Sequence, residues 1–190
     1  MTLVFATHNQ NKFQEVKLLL PAHIELLSLT DIGCYDEIPE TEETIEGNAI
    51  LKAAYVKENY SLDCFADDTG LEVTALNGEP GVYSARYAGV GNNAKANMMK
   101  LLKNLEGVEE RSALFKTVIA LSLKNEMHLF TGICEGKIIS AGRGENGFGY
   151  DPIFQPNGYN QTFAEITSEE KGKISHRGKA IQQLLAYFLK

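Results

Sequence analysis

The chain is 190 residues long, about one domain's worth, with 44% hydrophobic and 23% charged residues, which excludes a disordered polymer. Its 25 acids against 18 bases leave a formal net charge of −7 and argue against general nucleic-acid binding, which normally needs a basic surface. The longest strongly apolar run without a charge, Thr117–Leu123, is too short to span a bilayer, and Met1–Thr7 lacks the basic start of a signal peptide. A cytoplasmic protein with no membrane partner is therefore expected. The three cysteines, Cys34, Cys64 and Cys134, form neither a disulfide framework nor a zinc pattern, and read as core residues in a reducing compartment.

In chain order, Leu3–Ala6 predicts a short strand that stops at Thr7-His8-Asn9. From Asn11 the apolar residues Phe13, Val16, Leu19 and Leu20 share one stripe, so a helix follows until Pro21 ends it. Ile24–Leu29 reads as a second strand. An acid-rich stretch, Asp36–Glu46, precedes an alanine-rich helix from Thr44 to about Asn59. Cys64–Ala66 predicts a strand ending in Asp67 and Asp68, with Leu71–Ala75 continuing it or pairing beside it. Asn77-Gly78 and Pro80-Gly81 are turn dipeptides, and Asn93–Leu105 is helical. Ala113–Leu123 and Met127–Ser140, joined at Lys124-Asn125-Glu126, predict an antiparallel hairpin, so the sheet is mixed. Gly142–Tyr159 reads as a glycine-rich loop and Ser175–Lys190 as a final amphipathic helix. The whole predicts one α/β domain, 1–190, of two lobes around a cleft.

Four segments could carry chemistry. Thr7-His8-Asn9-Gln10-Asn11-Lys12 joins a strand to a helix, where outward N–H groups, polar side chains and a lysine can cradle phosphate oxygens. An ordinary N-cap followed by a solvated lysine fits the same residues. Asp67-Asp68-Thr69-Gly70 lies at an expected strand end, where ligands gather in open α/β sheets. Adjacent strand residues face opposite ways, so one acid can hold a hard cation while the other supports the turn or a second cation. A plain acidic turn is the competing reading, offset by the acids around Glu40 and by Lys52 on the next helix. Magnesium needs few carboxylates when phosphates and waters complete its shell.

Gly142-Arg143-Gly144-Glu145-Asn146-Gly147 matches the dinucleotide fingerprint in letters, yet no helix opens after it, so a Rossmann reading has little support. The loop reads better as a flexible presentation of Phe148, whose face could stack on a base, or as a core phenylalanine in a turn. Lys171–Lys179 packs four bases and His176 into nine residues before the last helix, suiting an anion or merely forming a solvated basic turn. There is no P-loop or nucleophile elbow, and His8, His23, His128 and His176 have no metal-ligand spacing.

The motifs Thr7-His8-Asn9-x-x-Lys12, Asn48-Ala49-x-x-Lys52-Ala53, Ala66–Leu71, Pro80–Tyr87, Gly147–Pro152 and Ser175–Gly178 occur in that order. Together they span nearly the whole chain and closely resemble the inosine triphosphatase-like family. The resemblance implies an elongated mixed β-sheet with flanking helices and a nucleotide cleft between two lobes. It also implies a homodimer that uses Mg²⁺ to cut purine nucleoside triphosphates such as dITP, ITP and XTP to the monophosphate and pyrophosphate. Carried over by position, Thr7, His8, Asn9, Gln10, Asn11 and Lys12 hold the triphosphate. The resemblance makes Asp68 the proton acceptor and a metal ligand, Lys52 a second catalytic residue, and Glu40, where Pro39-Glu40 stands in place of the family's acid pair, or alternatively Glu46, the other metal carboxylate. Thr69 touches substrate, Phe148, Gly149, Tyr150 and Asp151 hold base and ribose, and Lys171, His176 and Arg177 complete the pocket. The chain departs from the family pattern at Gly47, where an acid is usual, and at Thr69, where serine is usual. A Maf-type pyrophosphatase, a nucleotide sensor and an NAD-dependent oxidoreductase are the alternatives.

Overall fold

Leu3, Val4 and Phe5 are all buried, as a strand needs to be when it lies between two parallel neighbours. They form β1 (Thr2–Phe5), which pairs in parallel with β2 (Glu25–Ser28) on one side and β3 (Cys64–Val73) on the other. The computed structural model describes residues 1–89 and 91–189. Between β1 and β2 lies α1 (Gln10–Leu19), whose N-cap is Asn9 and whose exit runs into Pro21. Thr44 caps α2 (Ile45–Tyr60) through the Gly47 amide, and Ser61 ends it in the left-handed region. β4 (Pro80–Gly81) is a short partner of β3, and Asn93 caps α3 (Ala94–Asn104). β5 (Ser112–Leu123) and β6 (Glu126–Ile138) form the expected hairpin. Lys124 and Asn125 both take positive φ, as a two-residue turn that follows the strand twist requires.

The remaining strand and α-helices among the described residues are β7 (Phe154–Pro156), α4 (Ser168–Ile174) and α5 (His176–Phe188). The seven-stranded sheet runs β2-β1-β3-β5-β6-β7, with β4 beside β3. Parallel pairs at β1 and antiparallel pairs at β3/β4 and β6/β7 make it mixed, as expected.

The structure corrects the expected elements at several points. β3 does not end at Asp67 and Asp68 but continues through them to Val73. Its parallel pairing with β1 stops at Phe5↔Phe65, and its antiparallel pairing with β4 begins at Leu71↔Gly81. The acids therefore stand beyond the end of β1 while lying inside β3. The expected loop Gly142–Tyr159 contains β7, which pairs with β6 at Gly136↔Pro156. A side chain at Gly136 would overlap the Gln155 backbone, so the glycine permits this pairing. The short α4 went unforeseen because Ser168–Ile174 has one apolar residue and no stripe. The last helix begins at His176, and the Lys190 end of its expected span lies outside the described residues.

The chain divides into two compact units: Met1–Asp68, Thr117–Gly132 and Arg177–Lys190 form the first, Thr69–Lys116 and Ile133–His176 the second. In the first, α1 and α5 bury Phe13, Val16, Ile181 and Leu184 with strand residues Leu3, Phe5, Phe65 and Ile119. Phe5 and Phe65 stack at 4.7 Å. In the second, Phe115, Phe154 and Phe163 pack with Leu71, Leu101 and Ile153.

Candidate active site

In the first unit the turn after β1 builds its own cap. Asn9 Oδ1 accepts from the amides of Asn11 and Lys12, and Thr7 Oγ1 accepts from the Asn9 amide. His8 meets the Asp36 carbonyl at 2.9 Å, and Gln10 and Asn11 are exposed. The lysine that follows is not the solvated one of the plain-cap reading. Its ammonium lies 3.0 Å from Asp67 Oδ1.

Asp67 is almost fully buried and also accepts from Arg177, with Nε at 3.0 Å and Nη2 at 2.9 Å from Oδ2. Arg177 Nη1 reaches Glu15 Oε2 at 2.5 Å. One carboxylate thus fastens α1 and the start of α5 to β3. Burial pushes the Asp67 carboxyl up, but Lys12 and Arg177 outweigh it and hold the group well below its ordinary range. Arg177 is held charged by Asp67 and Glu15 against the same desolvation. For Lys12, burial outweighs the carboxylates and lowers the pKa.

Asp68 points to different partners, as strand alternation requires. Lys52 Nζ lies 3.5 Å from its Oδ1 and 2.6 Å from Glu40 Oε1. Asn48, one turn before Lys52 on α2, reaches Asp68 Oδ2 at 3.4 Å. Asn48 is itself held to the Glu42 backbone in both directions, at 3.0 and 3.3 Å. That contact explains Gly47, because a Cβ there would stand 2.7 Å from the Glu42 Cβ. Burial raises the Asp68 carboxyl above its ordinary value, and Lys52 and Lys12 only partly offset it. Lys52 goes the other way: burial disfavours its charge, but Asp68 and Glu40 prevail and raise its pKa.

Among the described residues no group of three or more His, Cys, Asp or Glu side chains could hold a metal ion alone. Glu40 and Asp68, sharing one ammonium, instead supply two hard carboxylates. They fit magnesium as a partial shell that phosphate oxygens and waters complete.

In the second unit, Phe148–Asp151 is a pinned turn rather than a flexible one. The Phe148 amide donates to Asp151 Oδ2 at 2.8 Å, and the Asp151 amide donates back to the Phe148 carbonyl at 3.2 Å. Lys171 Nζ meets the same Asp151 oxygen at 2.5 Å and sits 5.1 Å from the centre of the half-buried Phe148 ring. Gly147 takes φ +72, and a side chain there would overlap the Asp151 carboxylate; at Gly144 it would overlap the Ala164 carbonyl. The glycines of the apparent fingerprint thus serve close packing; among the described residues only a single 3-10 turn, Asp151–Ile153, follows them before the α-helix that starts at Ser168. Tyr150 is buried, and His176 stacks on Phe115 at 4.5 Å. Thr69, half-buried on β3, begins this unit.

The basic run Lys171–Lys179 is not one patch. Lys171 and His176 are buried in the second unit and Arg177 in the first, while Lys173 and Lys179 are exposed. Sequence reasoning missed Glu15 and Asn48 as members of the first cluster and left Asp67 without a definite role. Only its adjacency to Asp68 marked Asp67, and only its place in a motif marked Asn48.

A sequence model of the Ham1 family matches residues 3–187. A relative from Christiangramia forsetii named dITP/XTP pyrophosphatase is 60% identical over 190 residues, covering 100% of both chains. The solved Ham1 protein of Coxiella burnetii superposes with a TM-score of 0.90 at 38% identity, covering 100% of this chain and 98% of that one. The Staphylococcus aureus Ham1 structure gives 0.89 at 41%, covering 99% and 98%.

Proposed function

This chain belongs to the Ham1 family, and from that premise we propose how its residues perform the family's chemistry. It hydrolyses non-standard purine nucleoside triphosphates such as dITP and XTP, releasing pyrophosphate. The observation that carries the assignment of roles is the gathering of Lys12, Lys52 and Arg177 around Asp67 and Asp68. A triphosphate carries close to four negative charges, and cleavage of its anhydride depends on positioning and charge stabilisation more than on covalent chemistry.

The turn Thr7–Lys12 receives the phosphates. Asp68, raised above an ordinary carboxyl by burial, takes the proton from the attacking water. Lys52 holds Asp68 and Glu40 in place and stabilises the charge that develops. Glu40 and Asp68 would hold Mg²⁺, which when bound neutralises phosphate charge. Thr69, the Phe148–Asp151 turn, Lys171 and His176 take the base and ribose. Hypoxanthine and xanthine present an acceptor oxygen where adenine presents a donor amino group. A backbone N–H donor favours the keto base, since adenine would leave that donor unpaired. Magnesium dependence, a homodimer and a cytoplasmic location complete the proposal; the family resemblance supports them, and the three buried cysteines suit a reducing compartment.

Pyrophosphate release, measured across common and deaminated triphosphates, tests the reading. It expects pyrophosphate and monophosphate from dITP, ITP and XTP, with far less from ATP and CTP. Orthophosphate as the first product would overturn it. Asp68→Asn should lower turnover by about 100-fold or more while nucleotide binding persists; unchanged turnover would remove Asp68 from its role.

A further inference from the structure

The motif Pro80–Tyr87 has no part in the roles assigned so far, yet its backbone is unusually well held. Asn97 on α3 donates to the Ala85 carbonyl at 2.8 Å and accepts from the Ala88 amide at 2.7 Å. Lys100 donates to the Tyr87 carbonyl at 2.6 Å. Buried between these anchors and β4 is Ser84. Its hydroxyl accepts from the Leu71 amide at 2.9 Å and donates to the Gly81 carbonyl at 2.6 Å, bridging β3 and β4 where Leu71 opposes Gly81. Its carbonyl accepts from the Tyr150 hydroxyl at 2.8 Å.

One end of this chain of bonds lies in the turn assigned to the nucleotide, and the other lies on the strand that carries Thr69. Leu71 lies two positions after Thr69 on β3. Tyr150 lies inside the Phe148–Asp151 turn, and its ring is buried, so its hydroxyl is spent on Ser84. We infer that Ser84 and Tyr150 are positioning residues that set the base-holding turn in register with the Thr69 segment, and thereby decide how sharply the enzyme selects keto purines. This rests on the pyrophosphatase reading above and assigns Tyr150 a role through Ser84 rather than against the nucleotide.

The mechanism is one of preorganisation. Phe148 and Asp151 discriminate between bases only if their distance from the Thr69 segment is held constant. Exposed loops do not provide such constancy; a buried hydroxyl satisfied at both lone pair and proton does. Tyr150→Phe cuts the tie from the turn side with almost no change of volume, and Ser84→Ala cuts it from the β3 side. Because the bonds run in series, cutting both should cost no more than cutting one.

Steady-state kinetics with dITP and dATP on the full chain, with thermal unfolding to verify folding, test this. Either single variant should lower the preference for dITP over dATP about tenfold, with the loss falling mainly on KM, and the double variant should match the singles. Tyr87→Phe deletes a comparable buried hydroxyl, bonded to Glu79 and Asn104 in the same unit but not to the turn, and should leave the ratio unmoved. The inference is overturned if a folded Tyr150→Phe or Ser84→Ala keeps the wild-type ratio, if the two effects multiply, or if Tyr87→Phe shifts it equally. A wild type that releases no pyrophosphate refutes the pyrophosphatase reading and this inference with it. An active wild type with unmoved variants refutes this inference alone.

Discussion

Lys12 and Asp67, 55 positions apart in the chain, meet with Nζ 3.0 Å from Oδ1 inside the first unit. Arg177, 110 positions from Asp67, closes on the other oxygen of the same carboxylate. Asp67 is therefore a fastener, engaged at close range by two cations. Its neighbour Asp68 meets Lys52 and Asn48 at 3.5 and 3.4 Å, a looser hold that suits the catalytic role proposed for it.

The fastening role predicts a stability loss. Asp67→Asn leaves two cations beside a neutral side chain in a buried site, at a cost of about 3–5 kcal/mol. In a chain of this size that lowers the melting temperature by roughly 10 °C near neutral pH, read by circular dichroism. The native carboxyl titrates below its unfolded value, so its contribution is complete above the ordinary carboxylate range. It fades as pH falls through that range toward the native value. The gap between wild type and variant should narrow in acid; a constant gap would contradict the ion-pair account.

Chelation tests the role of Glu40. Removing divalent cations with EDTA should stop pyrophosphate release, and added Mg²⁺ should restore it. Glu40→Gln should raise the Mg²⁺ concentration needed for half-maximal rate about tenfold, since one of two carboxylates loses its charge. A full rate in EDTA would exclude the metal, and an unshifted Mg²⁺ requirement would exclude Glu40.

Two glycines of one loop should respond differently to alanine. Gly147 and Gly149 both take positive φ, +72 and +65, so each replacement costs about 1–2 kcal/mol in backbone strain. At Gly149 the added methyl meets nothing within 4 Å, but at Gly147 it strikes the Asp151 carboxylate that Lys171 and the Phe148 amide share. Gly147→Ala should therefore lower the melting temperature more than Gly149→Ala and raise KM for dITP as well. Equal melting temperatures would show that the Asp151 contact is soft.

Cys64 offers a probe of burial. Its thiol, fully buried and donating to the Ala53 carbonyl, is pushed up to about 12 by desolvation. The thiolate is the reactive form, so native protein at pH 8 should resist iodoacetamide at this position and label readily once unfolded. Mass spectrometry of the labelled peptide checks this, and rapid native labelling would refute it.

What the sequence determined by itself is what neighbours along the chain decide. Asn9, Thr44 and Asn93 announce helix starts because a capping oxygen needs only the next turn's amides. Lys124-Asn125 marks a hairpin because a two-residue turn is a local backbone choice. The ordered motifs carried family and reaction for the same reason: each is a short contiguous signature.

Tertiary structure alone decided which charge meets which. Lys12, Asp67 and Arg177 find each other only after β1, β3 and α5 are packed, and no spacing along the chain encodes that meeting. The length of β3 depended on partners elsewhere, β1 up to Phe65 and β4 from Leu71, so acids that read as a strand end became strand interior. The basic run 171–179 divided between two units because burial sorts side chains by the environment that surrounds them, while sequence proximity sorts them only by order.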